Sequence, residues 1–147
     1  MNPSEFVQLA AKIVAFGPSG ARSAISRAYY GVFHECRAVL ISLGAQPPGS
    51  GASHAIVPNY FQLTSHADAQ AIGSDLNDLH SDRIRAAFHL SDKTYEELGT
   101  AQNCVIIAQN ILRLLEQYQQ RCLADDATRQ DLLQAVAKVD AVRQVRK

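Results

Sequence analysis

Arginine and histidine side chains occur together at two places in this chain. The stretch "SRAYYGVFHE" (26–35) contains Arg27 and His34, and the stretch "DRIRAAFHL" (82–90) contains Arg83, Arg85 and His89. A histidine exchanges protons near neutral pH, and an arginine presents a fork of donors that holds a phosphate and stabilises its developing charge. Such pairs suit the cleavage of a phosphodiester.

Helical spacing in "DRIRAAFHL" leaves the partner of His89 open. Arg85 precedes His89 by four residues, so the two share a helix face. Arg83 precedes it by six, which is about 240° around the axis and about 9 Å along it. Arg83 and His89 meet only if Arg83 extends or if the helix ends near Phe88. The alternative interpretation is a solvated face on which Arg85 pairs with a nearby carboxylate, Asp82 or Asp92.

The stretch "SRAYYGVFHE" places Arg27 and His34 two helical turns apart. They lie on one face, about 10 Å apart along the axis, with Tyr30 and Gly31 between them. A glycine inside a helix costs about 1 kcal/mol relative to alanine, so Gly31 predicts the close approach of another helix. The alternative to a phosphate site is that Arg27 anchors to an acid on a neighbouring helix.

Composition limits the classes of function. A chain of 147 residues suits a single domain with a real core. Its 14 basic and 14 acidic side chains balance, which excludes a protein that coats nucleic acid by bulk charge but not a local phosphate site. Familiar metal and nucleotide motifs are absent: the sequence has no Gly-rich phosphate loop, no His-Glu-x-x-His and no paired cysteines. We therefore expect neither a metal nor a cofactor.

Cysteine usage and hydropathy bear on the compartment. Cys36, Cys104 and Cys122 each lie in an apolar helical pattern, which favours reduced core cysteines over disulfides or a metal site. No signal peptide is visible, and no apolar stretch approaches the roughly 20 residues of a membrane span. These features predict a cytoplasmic protein that does not enter a membrane.

The elements that must position these side chains are all predicted to be helices. Asn2 or Ser4 caps a first helix through "EFVQLAAKIVAF", and "GPSG" (17–20) breaks the chain. A second helix spans about 21–43, a loop spans 44–54, and 55–63 forms either a short helix or an irregular strand-like link. The third helix spans about 68–90.

Two further helices complete the predicted chain. Thr94 and Glu97 have capping-box spacing and open a fourth helix that runs through about Cys122. Asp125 or Asp126 caps a fifth. The pattern predicts an all-α, up-and-down four-helix bundle (1–122) with an additional C-terminal helical extension (123–147).

The second-helix motif resembles that of a known family. The run Ser26 to His34, "SRAYYGVFH", is similar to the "S-R-A-Y-Y-A-x-F-H" of the HEPN family (higher eukaryotes and prokaryotes nucleotide-binding domain), with Gly31 in place of alanine. His54 after the loop and "LNDLHSDRIRAAF" in the third helix add to the likeness, which covers about residues 3–120. The acid and the tyrosine of the family's "A-D-Y" are Ala87 and Phe88 here, and His89 follows directly.

The resemblance implies a fold, an activity and partners. Ribonucleolytic HEPN proteins carry an arginine and a histidine four to six residues apart, which Arg83 and His89 match. It implies a homodimer that cleaves RNA without metal, leaving a 2′,3′-cyclic phosphate, with Arg85 as a second phosphate contact. Arg27 and His34 are the candidate phosphate contacts of the second-helix stretch. Many such proteins are toxins paired with a nucleotidyltransferase antitoxin, or act in phage defence. The alternative is a non-catalytic HEPN module that binds a nucleotide or a partner in a larger complex, which the non-polar Ile84 after the arginine favours.

Overall fold

The computed structural model describes residues 2–145, and within them the fold is all-α, as predicted. This range contains six α-helices and one short 3-10 helix, and no strand. The helices are α1 (Pro3–Ile13), α2 (Gly17–Ser42), α3 (Ser53–Gln62), α4 (Ala67–Phe88), the 3-10 helix (Lys93–Glu96), α5 (Leu98–Ala124) and α6 (Asp126–Val145). The end of "RQVRK", at 146–147, lies outside the described residues.

The start of the chain confirms one predicted cap and corrects one predicted break. Asn2 caps α1, because its side-chain oxygen accepts from the Ser4 amide at 3.1 Å. The prediction that "GPSG" interrupts the chain is wrong, since α2 already begins at Gly17. Proline is tolerated in a first helical turn, where its missing N–H has no partner to lose, and Gly17 supplies a φ of +74° at the junction.

Helix α2 buries the apolar stripe that its sequence predicts. The stripe residues are fully buried: Ile25, Tyr29, Val32, Cys36, Leu40 and Leu43. Gly31 lies against α1, since a Cβ at this position would be 2.7 Å from Val7 Cγ2 and 2.9 Å from the Pro3 carbonyl oxygen. The predicted close approach at Gly31 is confirmed.

The segment after the long loop is a helix, which resolves the alternative left open for 55–63. Helix α3 contains Pro58 in its interior and is only ten residues long. Gly73 of α4 packs directly on it, because a Cβ there would lie 2.5 Å from the Pro58 carbonyl oxygen. Of the histidines singled out in the sequence, His54 lies in the first turn of α3.

The connection between α4 and α5 differs from the prediction. Helix α4 ends at Phe88, and the predicted capping box at Thr94 is wrong. Asp92 is the N-cap instead, accepting from the Thr94 amide at 3.1 Å, and it starts a 3-10 turn rather than α5. An Asp side chain two residues ahead competes for the same amide that the box needs, so α5 begins only at Leu98.

The described residues form two compact units. The first comprises the residues up to Glu35 together with Asp75–Leu112, and the second comprises Cys36–Ser74 and the residues from Arg113 onward. Helix α6 belongs to the second unit, where Asp125 caps it and Tyr60 of α3 donates to Asp140 at 2.6 Å. The division at residues 122 and 123 stays a prediction.

Burial and hydropathy settle two simpler questions. All three cysteines are buried and free, as predicted. Among residues 2–145, no helix combines the length and apolar character needed to cross a membrane.

Candidate functional site

A cavity of about 390 Å³ opens on the first unit beside the "SRAYYGVFH" motif. Four of its lining residues follow each other at four-residue intervals on α2, so they form one helix face: Arg22, Ser26, Tyr30 and His34. The remaining lining residues are Phe6, Ser23, Arg27, Ala86 and Ala87. Helices α1 and α4 therefore close a pocket whose polar side belongs to α2.

The chemistry of the lining suits an anion. It combines two guanidinium groups, one imidazole and three hydroxyl groups, and no carboxylate is among the lining residues. Hydroxyl and guanidinium donors are the groups that hold phosphate oxygens in proteins. The lining can therefore offer donors to a phosphate, although the Arg22 guanidinium is already paired with Glu96 at 3.3 Å.

Arg27 and His34, both predicted as phosphate contacts, line this cavity together. Both side chains are exposed, and no carboxylate of residues 2–145 lies within 4.0 Å of the Arg27 guanidinium. The alternative interpretation, in which Arg27 anchors to an acid on a neighbouring helix, is therefore not what the structure contains. The His34 ring lies nearly parallel to Tyr30, with their centroids 6.1 Å apart.

Arg83, on α4, contacts Tyr30 of the cavity lining. Its guanidinium donates to the Tyr30 hydroxyl and lies over the Tyr30 ring, with Cζ 4.8 Å from the centroid. The Phe88 ring is a second neighbour at 6.0 Å. Its Nε is buried and has no hydrogen-bond partner among the described residues. Tyr30 thus joins two sequence motifs that lie 53 residues apart.

Arg85 points to a different neighbourhood. Its Nη1 donates to the Tyr95 hydroxyl at 3.5 Å, and neither Asp82 nor Asp92 forms an ion pair with it. Tyr95 in turn donates to Asp82 at 3.3 Å. Arg85 does not line the cavity, so the structure separates it from Arg27 and His34.

The pKa of the nearby acid Asp82 is shifted from its ordinary value. Burial raises the pKa of the Asp82 carboxyl, although hydrogen bonds from Tyr95 and Cys104 act in the opposite direction. The Cys104 thiol lies 3.7 Å from Asp82, and burial together with that negative charge raises the pKa of Cys104 to about 12. Cys104 is therefore a protonated core thiol rather than a nucleophile.

His89 lies one residue beyond the end of α4. Its side chain is exposed and does not line the cavity, while its backbone nitrogen donates to the Arg85 carbonyl at 2.9 Å. The end of α4 at Phe88 meets one of the two conditions under which Arg83 and His89 could act together. The catalytic roles of Arg83 and His89 stay predictions.

Arg22 is a residue that the sequence analysis missed. Its guanidinium donates to the turn that follows α4 and forms an ion pair with Glu96 at 3.3 Å. The four-residue periodicity that leads from His34 back through Tyr30 and Ser26 reaches Arg22, and this signal was available in the sequence.

His80 of α4 contacts Tyr29, the neighbour in sequence of Tyr30. Its ring is roughly parallel to Tyr29 at a centroid distance of 5.0 Å. Burial, and then the positive charge of Arg83, lower the pKa of His80 below its usual value. The imidazole is therefore neutral at pH 7.

Comparison with models of protein families, with characterised proteins and with solved structures gave no match to this chain. Among residues 2–145, no group of three or more His, Cys, Asp or Glu side chains is arranged to hold a metal ion.

Proposed function

We propose that this chain is a HEPN-type, metal-independent endoribonuclease. The observation that carries the proposal is the contact between Arg83 and Tyr30, which brings the arginine of the Arg83–His89 pair against the "SRAYYGVFH" motif. The cavity beside that contact has cationic and hydroxyl groups and no carboxylate in its lining, which suits an RNA phosphate.

In the proposed reaction the RNA supplies its own nucleophile. The ribose 2′-oxygen attacks the adjacent phosphorus as His89 takes its proton, and the bond from phosphorus to the 5′-oxygen breaks. His89 then returns the proton to that leaving oxygen, so the products are a 2′,3′-cyclic phosphate and a 5′-hydroxyl. Arg83 stabilises the charge on the phosphate in the transition state, and Arg27 and His34 hold a neighbouring phosphate.

The proposed active form is a homodimer. Phe88 and Leu90 flank His89 in sequence and are 70% and 64% exposed. Two large apolar side chains beside a candidate catalytic residue suit an interface between two copies. We further propose a cytoplasmic toxin or phage-defence role, restrained by a nucleotidyltransferase antitoxin or another protein partner.

RNA cleavage in the presence of a chelator tests the proposal. We expect the wild-type protein to cleave single-stranded RNA and to leave cyclic phosphate ends. His89→Ala should cleave about 10²–10⁴-fold more slowly, the usual contribution of a general acid–base group. Arg121→Gln is the matched control, because Arg121 is exposed and its only ion pair among residues 2–145 is with Asp125, at 3.7 Å. Unchanged cleavage by a folded His89→Ala protein would contradict the assignment.

A non-catalytic binding module is the second candidate. It is favoured by the position of His89 outside the cavity lining. This alternative predicts that RNA or a nucleotide binds and that Arg27→Gln weakens binding, while the wild-type protein leaves RNA intact.

A further inference from the structure

We infer that Arg22 is a positioning residue that aligns His89 with the face of α2 that lines the cavity, formed by Ser26, Tyr30 and His34. The inference rests on the proposed function for its catalytic meaning. The contact of Arg22 with the turn between α4 and the 3-10 helix, residues 89–92, can be tested without measuring catalysis.

The guanidinium of Arg22 makes as many contacts as it has donors. An arginine carries five N–H groups, and Arg22 donates to five acceptors at 2.7 to 3.4 Å. The acceptors are the backbone oxygens of Ala86, His89, Leu90 and Asp92, and Oε1 of Glu96. The side chain is 11% exposed.

Arg22 makes these contacts at the C-terminal end of α4, where backbone oxygens lack hydrogen-bond donors within the helix. The last carbonyls of an α-helix have no partner within the helix, and α4 ends at Phe88. Arg22 donates to the Ala86 carbonyl oxygen near this end of α4. It also donates to the carbonyl oxygen of His89, in the turn that follows, at 3.4 Å. The His89 backbone is therefore fixed although its imidazole is exposed.

The position of Arg22 on α2 connects the turn that carries His89 with the cavity lining. Arg22 lies on the same helix face as Ser26, Tyr30 and His34. Helix α2 therefore fixes the position of the cavity-lining face that would receive the phosphate. Through Arg22 it also fixes the position of the backbone at His89. A movement of the turn relative to α2 would misplace the imidazole, and a displacement of about 1 Å can lower a rate about 10²-fold.

Arg22 and Arg27 line the same cavity but have different roles. Arg22 can bind a phosphate only by giving up a backbone or carboxylate partner, because its donors are already used. Arg27 is exposed and has no carboxylate partner among residues 2–145. The loss of Arg22 should therefore affect kcat, and the loss of Arg27 should affect KM.

The test uses Arg22→Lys, Arg22→Gln and Glu96→Gln, with Arg121→Gln as the control. Lysine keeps the charge but has three donors and no planar fork, so it cannot replace all five contacts. Glu96→Gln weakens one contact and keeps Arg22, which provides a variant in case Arg22→Gln does not fold. Native-state hydrogen exchange reports on the amides of His89 and Asp92, which donate to the Arg85 carbonyl at 2.9 Å and to the His89 carbonyl at 3.0 Å.

We expect the exchange of these two amides to be about tenfold or more faster in Arg22→Lys than in wild type, with the amide of the buried Ile111 unchanged. Glu96→Gln should give a smaller change in the same direction, and Arg121→Gln none. With single-stranded RNA as substrate, kcat should fall about 10²-fold in Arg22→Lys at unchanged KM.

Unchanged exchange at His89 and Asp92 in folded Arg22 variants would overturn the inference. So would an increase in KM at unchanged kcat, because that result would make Arg22 a phosphate ligand. If wild-type protein does not cleave RNA, the proposed nuclease function fails, and the exchange data alone decide whether Arg22 holds the turn.

Discussion

Arg83 donates a hydrogen bond from its guanidinium to the Tyr30 hydroxyl and lies across the Tyr30 ring, with Cζ 4.8 Å from the centroid. This relationship connects α2 and α4 at the edge of the cavity. It also gives Arg83 a defined orientation before any phosphate arrives, which is the preorganisation that transition-state stabilisation requires.

A double-mutant cycle measures this contact. Tyr30→Phe removes the hydroxyl and keeps the ring, and Arg83→Met removes the charge and keeps an unbranched chain. We expect each change to lower the free energy of unfolding, with a coupling energy of about 1 kcal/mol between them. Urea denaturation of the four proteins provides the values. Additive effects would show that the contact contributes nothing to stability.

Phosphate binding in the cavity predicts a salt dependence. Arg27→Gln removes one exposed cation, so the slope of log affinity for single-stranded RNA against log salt should become shallower by about 0.7. Fluorescence anisotropy at several salt concentrations measures that slope. Arg121→Gln removes another exposed arginine, in the second unit, and should leave the slope unchanged. Equal effects from both variants would indicate bulk electrostatics rather than a site.

The contact of Gly31 with α1 predicts that a single methyl group is destabilising. In Gly31→Ala the new Cβ would lie 2.9 Å from the Pro3 carbonyl oxygen, so the helices must separate. We expect the free energy of unfolding to fall by about 1–3 kcal/mol, as for other overpacked sites. Gly99→Ala is the control, because a Cβ at Gly99 meets nothing within 4 Å. A Gly31→Ala protein as stable as wild type would contradict the close packing.

The lowered pKa of His80 predicts a pH dependence of stability. The unfolded chain binds a proton at His80 near pH 6.5, whereas the folded chain binds it only at lower pH. The unfolded state therefore holds more protons between these two values, and stability falls as pH falls through this window. Denaturant unfolding at pH 7 and pH 5 should show the loss, and His80→Phe should reduce it while keeping a ring against Tyr29. An identical pH dependence in His80→Phe would assign the effect to other groups.

Much of the fold follows from the sequence alone. Helical periodicity identified the buried stripe of α2, and the residue type at Gly31 indicated a close helix contact, because both signals depend on local spacing and side-chain size. The reduced core cysteines follow from the same apolar pattern. Local competition was harder to predict: Asp92, not Thr94, caps the turn after α4, and "GPSG" starts a helix instead of breaking one.

The sequence by itself determined that the chain is all-α and that Arg27 and His34 share one helix face, because a period of 3.6 residues decides both. Only the tertiary structure decided which arginine meets which partner. Arg83 reaches Tyr30, Arg85 reaches Tyr95, and Arg22 uses its donors on the turn that carries His89. The physical reason is that each partner is supplied by a segment distant in sequence, whose approach depends on how the helices pack and not on the spacing within any one of them.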